Sequence, residues 1–348
     1  MHPYRGFDKS CFWNTAIDDV PWHSVFMNAK SKFKLQKTDT ISTAGSCFAQ
    51  RISKYLSSIS IECANFEPPP IDFTAQAAEE YGYKTYSARF GNIYTVAQLR
   101  QLIDEAFGVR DPILAVAQDE STGKFIDLMR PSVNGLGYSS EKEANHDRIL
   151  HLKAVRELFT ESTVFIFTLG LTEAWISDDG IIFGSHPNVL KGVANPYRLN
   201  SINYNYGQIL DDLSYIKKFL NKVNPELKFI LTVSPVGLSA THQNKHVLLA
   251  TSYSKSVLRS VAGYACDNFR NFEYFMSYEI FNCSQSYGQY LHSNLREVNM
   301  RGVAVTMNVF SSMFLTEDSE FISSGPSVSA AAIECEEILN GYFSKNGL

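Results

Sequence analysis

The chain has 348 residues, 45% of them apolar, and a formal net charge of -5. That is enough apolar material for a large core that needs no disulfide or metal staple, and no Pro/Gly/Ser linker or charge block divides it. The acidic balance argues against nucleic acid or an anionic membrane as a partner, because neither surface would attract it.

The six cysteines (Cys11, Cys47, Cys63, Cys266, Cys283 and Cys335) show no C-x-x-C spacing, which suits reduced thiols better than a disulfide frame or a zinc site. The start of the sequence lacks an apolar signal region and no run is long enough to span a membrane, so a cytoplasmic protein is expected. Residues 1–37 are aromatic-rich but aperiodic, with Tyr4, Phe7, Phe12, Trp13, Trp22, Phe26 and Phe33, and read as an arm packed across the domain.

Residues 40–44 are short and β-branched, as in a strand buried on both faces. Phe48, Ile52, Tyr55 and Leu56 then follow at helical spacing, leaving only Gly45-Ser46 for the turn between. Residues 60–64 read as a second strand, and Pro68-Pro69-Pro70 halts regular structure. Residues 89–95 resemble a turn feeding a helix over 96–107, with Gly108 as its stop. Residues 111–150 look like an insertion. A helix over 150–159 leads into a strong strand at 163–169, and 177–208 is a long irregular excursion of the kind that often lines a cleft. Further helices are predicted over 209–220, 247–262, 299–314 and 330–343, with strands at 229–234 and near 272–275. Strands alternating with helices predict an α/β three-layer sandwich around a parallel sheet, whose ligands bind beyond the carboxyl ends of the strands. The domain plan is an arm over 1–37, a core over 38–314 and a helical extension over 315–348.

A serine on a tight strand-to-helix turn has its hydroxyl exposed at that sheet edge, with helix N–H groups aimed at whatever it attacks. The same pattern also describes an ordinary Ser N-cap. Gly45-Ser46-Cys47-Phe48-Ala49 spells the motif of the GSCFA family, which resembles the SGNH (GDSL-like) esterases and acyltransferases. Later blocks resemble the family in the same order: residues 89–95, 167–175, 231–236 and 250–259. The resemblance implies an SGNH-hydrolase-like fold with Ser46 as nucleophile, and implies neither cofactor nor metal.

By the same resemblance, Gly91 and Asn92 stand where the second oxyanion block would be, and Gly170-Leu171-Thr172-Glu173 replaces the usual Gly-x-Asn. Thr172 can donate through its hydroxyl, whereas the Glu173 carboxylate can only accept, so it would orient an imidazole or cap the next segment. The Asp-x-x-His pair of SGNH enzymes is missing: Asn294 and Glu297 occupy its positions. His292 lies two residues before Asn294 and is the candidate base, with Glu297 as a carboxylate alternative. His242, His246 and His186 are weaker candidates. Where the family commonly has histidine, Arg51 stands, suited to an anionic group rather than to proton transfer. Tyr253-Ser254-Lys255 reads as a packed or substrate-lining helix.

Two functions are therefore expected to compete. One is acyl transfer by a serine esterase or O-acyltransferase on a carbohydrate or other hydroxylated small molecule. The other is a non-catalytic glycan-binding or scaffold protein on a degenerate fold. The terminal helix offers a surface for a homo-oligomer.

Overall fold

The structure, a computed structural model, describes residues 2–59, 61–83 and 85–316. The helix expected over 330–343, and nearly all of the expected extension, lie outside the described residues.

Four strands form the central sheet: β1 (Ile41–Gly45), β4 (Val164–Leu169), β8 (Lys228–Val233) and β9 (Phe272–Phe275), in the order β1-β4-β8-β9. Every neighbouring pair is parallel, in register from Ile41 against Val164 to Gly45 against Thr168 and from Val164 against Lys228 to Leu169 against Val233. Because side chains alternate along a strand, a sheet covered on both faces calls for apolar residues on both sides of its strands. β4 meets that demand: Phe165, Phe167 and Leu169 enter one core, Val164 and Ile166 the other, and all are fully buried.

Helices α3 (Val96–Ala106), α4 (Glu141–Glu161), α5 (Tyr206–Val223) and α6 (Val247–Asn268) cover the first face. Helices α1 (Cys47–Ser58), α7 (Ser277–Asn282) and α8 (Met300–Phe314) cover the second. The result is an α/β three-layer sandwich. Local chemistry sets the helix starts: Thr95 and Gln98 form a reciprocal capping box on α3, Asn205 and Gln208 do the same on α5, and Asn299 Oδ1 accepts from Gly302 N–H at 2.9 Å on α8.

Outside the sheet lie the short helix α2 (Ala75–Glu80), the hairpin β2 (Val116–Gln118) with β3 (Phe125–Asp127), and an antiparallel sheet of order β6-β5-β7. Its strands are β5 (Glu173–Ser177), β6 (Ile182–Phe183) and β7 (Leu199–Asn203). The stretch expected to be an irregular excursion thus carries two short strands. Its Gly- and Asn-rich composition hides them, because their pairing depends on β5 rather than on local propensity.

The strand expected over 60–64 does not form: residues 61–65 carry no strand, and Ala64 N–H makes a single bond to Ile41 O at 2.8 Å. The outer edge of β1 is satisfied otherwise. Thr43 N–H donates to Ser87 Oγ at 3.0 Å, and Ile93 N–H donates to Gly45 O at 3.0 Å. The arm also divides. Trp22, Phe26 and Phe33 pack on the second core and Leu35 N–H donates to Phe314 O, whereas Tyr4, Phe7 and Trp13 are more than half exposed. Tyr4 instead meets Phe7 and Phe12 edge-on, a small aromatic group of its own. No described helix is long and apolar enough to cross a membrane.

Candidate active site

β1 ends at Gly45, whose φ of +139 is open to glycine and rarely to other residues. A Cβ there would stand 2.7 Å from Thr168 O, so β1 and β4 approach each other closely where the chain turns. Ser46 follows as the N-cap of α1, with extended backbone and no side-chain capping bond. Its residue is 6% exposed, and Oγ is buried without a hydrogen-bond partner among the described residues. An ordinary N-cap serine would spend this hydroxyl on the helix.

The blocks that are far apart in sequence meet here. Ile93 N–H reaches Gly45 O, and Gly170 and Leu171 N–H both donate to Tyr94 O, at 3.1 and 2.9 Å. A Cβ added to Gly170 would stand 3.3 Å from Ser46 Cβ, so the turn after β4 lies against the serine. Ser234 N–H donates to Leu169 O at 2.9 Å, which joins the end of β8 to the same edge.

The candidate oxyanion donors differ in their surroundings. Asn92 is buried, and its Oδ1 accepts from Tyr86 O–H at 2.8 Å, which fixes which end of the carboxamide faces Tyr86; Tyr86 in turn accepts from Gln50 Nε2 at 3.1 Å. Gly91 has φ +66, in the left-handed region that glycine tolerates. Thr172 is buried; its N–H donates to Ser254 Oγ at 3.1 Å and its own Oγ1 has no partner among the described residues. Glu173 does not touch an imidazole through its carboxylate. Oε1 accepts from Thr241 Oγ1 at 2.7 Å and Oε2 from the backbone N–H of His242 at 3.0 Å, so it ties the loop after β8 to β5.

The base candidates sit farther out. His292 is exposed; its N–H donates to Glu297 O at 2.7 Å and its carbonyl accepts from Leu295 N–H at 2.9 Å. Asn294 Oδ1 accepts from the N–H groups of Arg296 and Glu297, both at 3.1 Å, so this side chain shapes the loop rather than the imidazole. Glu297 is also exposed. Two contacts bring this loop towards the sheet edge: Arg296 Nε donates to Gly237 O at 3.0 Å, and Arg51 Nη1 meets Met300 Sδ at 3.6 Å at the start of α8. His242 and His186 instead pack their rings on Trp175, at 4.3 and 4.5 Å. Burial, helped by the neighbouring His242, pushes the His186 pKa down.

Behind Asn92 lies a buried ionic cluster. Arg130 is 2% exposed and binds Asp127 and Asp147 at 2.8 and 2.9 Å; its Nη1 also donates to Arg89 O at 3.2 Å. Arg89 binds Asp147 at 2.8 Å, and its N–H donates to Glu67 Oε2 at 2.7 Å. His151, fully buried, meets the same Glu67 oxygen through Nδ1 at 2.7 Å. The cluster therefore grips the backbone that leads into Gly91-Asn92. A cavity of about 30 Å³ lined by Asn92, Arg130, Arg148 and His151 has room for about one water molecule. Sequence reading missed Asp127, Arg130 and Asp147, which fall in the insertion expected over 111–150, and His151 in the helix expected after it. The available signal was Arg89 standing between apolar residues at the head of the second block, since a buried arginine needs carboxylates. Among the described residues no three His, Cys, Asp or Glu side chains are grouped to hold a metal ion.

The sequence model of the GSCFA family matches residues 40–310, well over half of the chain. The chain belongs to the GSCFA family. Within this GSCFA domain the matched region runs from the strand before Ser46 to the middle of α8, so it includes every block that converges on the serine. No curated protein and no solved structure matches the chain.

Proposed function

We propose that this GSCFA protein is a serine-dependent acyl-transfer enzyme, an SGNH-like esterase or O-acyltransferase acting on a carbohydrate or another hydroxylated small molecule. One observation carries the reading: Ser46 Oγ is buried and unpartnered at the N-cap of α1, on the carboxyl edge of the parallel sheet. A hydroxyl so placed is held for a reaction partner rather than for the fold.

In this reading Ser46 Oγ attacks the acyl carbonyl and its proton passes to a base. The backbone N–H groups of Ser46 and Gly91, with the side chain of Asn92 or Thr172, hold the oxyanion. Collapse of the intermediate breaks the acyl–oxygen bond, and the leaving alcohol takes up the proton. Water or an acceptor hydroxyl then attacks the acyl-enzyme and frees Ser46. His292 is the proposed base, with Glu297 as the carboxylate alternative, and Arg51 offers a charge for an anionic substrate group. The free thiols of Cys11, Cys63, Cys266 and Cys283 suit a reducing compartment such as the cytoplasm.

A second reading, a non-catalytic glycan-binding protein, is favoured by one specific observation: no imidazole or carboxylate hydrogen-bonds to Ser46 Oγ among the described residues. A fluorophosphonate serine probe separates the two. Labelling of the wild type that disappears in Ser46→Ala supports acyl transfer. Labelling that survives the substitution assigns another nucleophile, and an unlabelled wild type that retains glycan binding supports the second reading.

A further inference from the structure

Lys255 has no part in the mechanism above, yet it is among the most deeply buried side chains of the protein, at 1% exposure. Its Nζ donates to Gly170 O at 2.8 Å. Gly170 is the residue whose added Cβ would meet Ser46 Cβ at 3.3 Å. The preceding residue, Ser254, is also 1% exposed and accepts from Thr172 N–H at 3.1 Å. The turn 170–172 is thus held from both sides: by Tyr94 O, which accepts from Gly170 and Leu171 N–H, and by two consecutive residues of α6.

We infer that Lys255 is a positioning residue for Ser46, its buried ammonium fixing the Gly170–Thr172 turn and supplying positive charge one peptide group away from the nucleophile. This deepens the proposed acyl-transfer reading and rests on it. A methionine would fill the same volume without the cost of desolvating a charge, so packing alone does not account for lysine here. The contacts keep Nζ within about 10 Å of Ser46, as bond lengths dictate. At that range, in a medium of effective dielectric about 20, a unit charge shifts a proton equilibrium or a developing oxyanion by about tenfold. Gly170 also matters to this geometry, because an added Cβ would crowd Tyr94 O at 3.0 Å and Ser46 Cβ at 3.3 Å.

The test is the second-order rate of fluorophosphonate labelling of Ser46 as a function of pH in folded variants of the full chain. Lys255→Gln keeps a donor for Gly170 O but removes the charge. It is expected to label about tenfold more slowly, with the midpoint of its pH–rate profile moved up, since neighbouring bases gain proton affinity when a positive charge is lost. Lys255→Arg keeps the charge and should stay within about threefold of wild type. Lys255→Met, close to lysine in volume, serves in the same role if Gln is not accommodated. A folded neutral variant with wild-type rate and midpoint overturns the inference, as does Lys255→Arg falling as far as Lys255→Gln. A wild type that the probe never labels overturns the acyl-transfer reading itself, and this inference with it.

Discussion

Gly45 and Thr168 face each other so closely that a Cβ on residue 45 would stand 2.7 Å from Thr168 O, and Gly45 also holds φ at +139. Both constraints fall on the residue that aims Ser46 out of β1, and neither can relax, because the contacted atom is backbone inside a parallel ladder. Gly45→Ala should therefore destabilise the protein by roughly 3 kcal/mol, from backbone strain and overpacking together. Urea unfolding measures this, and an unchanged midpoint would show that β1 and β4 are not so tightly apposed.

Thr172 tests the oxyanion assignment. Its Oγ1 is buried and has no partner among the described residues, so Thr172→Val exchanges an unsatisfied hydroxyl for a methyl and should leave stability within about 1 kcal/mol of wild type. If the hydroxyl stabilises the oxyanion, Ser46 labelling should fall by about 10²-fold. Thr43, buried in β1 with an equally unpartnered Oγ1, provides the control: Thr43→Val should label normally. Equal rates for the two variants would remove Thr172 from the oxyanion site.

His292 and Glu297 are exposed loop residues, so their substitution should change stability by no more than about 0.5 kcal/mol. His292→Ala is expected to slow turnover by at least about 10²-fold, the usual contribution of a positioned base. Glu297→Gln should cost less. If His292→Ala turns over normally while Glu297→Gln is inactive, the carboxylate is the base; if neither variant loses activity, the proton goes elsewhere.

The ionic cluster predicts how stability depends on pH. Burial lowers the His151 pKa from 6.5 to about 4, with the Arg130 charge adding to the effect. The unfolded chain therefore takes up a proton below about pH 6.5 that the folded state refuses until about pH 4, and stability falls across that window by about 3 kcal/mol. Burial pushes the Asp147 carboxyl up, but Arg130 and Arg89 outweigh it and hold the value at about 2, against 3.8 ordinarily. Its contribution, about 2 kcal/mol, is present above about pH 4 and is lost as pH falls towards 2. Urea unfolding at successive pH values should show both limbs. His151→Gln should flatten only the upper one; an unflattened curve would place that titration on another group.

The sequence by itself determined those features whose causes are local. Alternating apolar strands and helical stripes carry the parallel α/β plan, because a strand buried on both faces is mostly apolar on both sides, as Val164, Phe165, Ile166, Phe167 and Leu169 are. Gly45-Ser46 marks the turn because no other room exists between β1 and α1, and Thr95 and Asn299 announce their helices through their own side chains. Only the tertiary structure decided the rest. The strand expected over 60–64 reduces to one bond from Ala64 N–H to Ile41 O, because Ser87 and Ile93 take Thr43 N–H and Gly45 O on that edge of β1. Glu173 looked available to an imidazole, yet Thr241 and the His242 backbone, about 70 residues on, claim both its oxygens. Arg130 and His151 carry no signal of their own in the sequence, and Lys255 reads only as part of a packed or substrate-lining helix. Their burial follows from partners supplied by distant segments, and no local pattern encodes which carboxylate or carbonyl will meet a charge once the chain has closed around it.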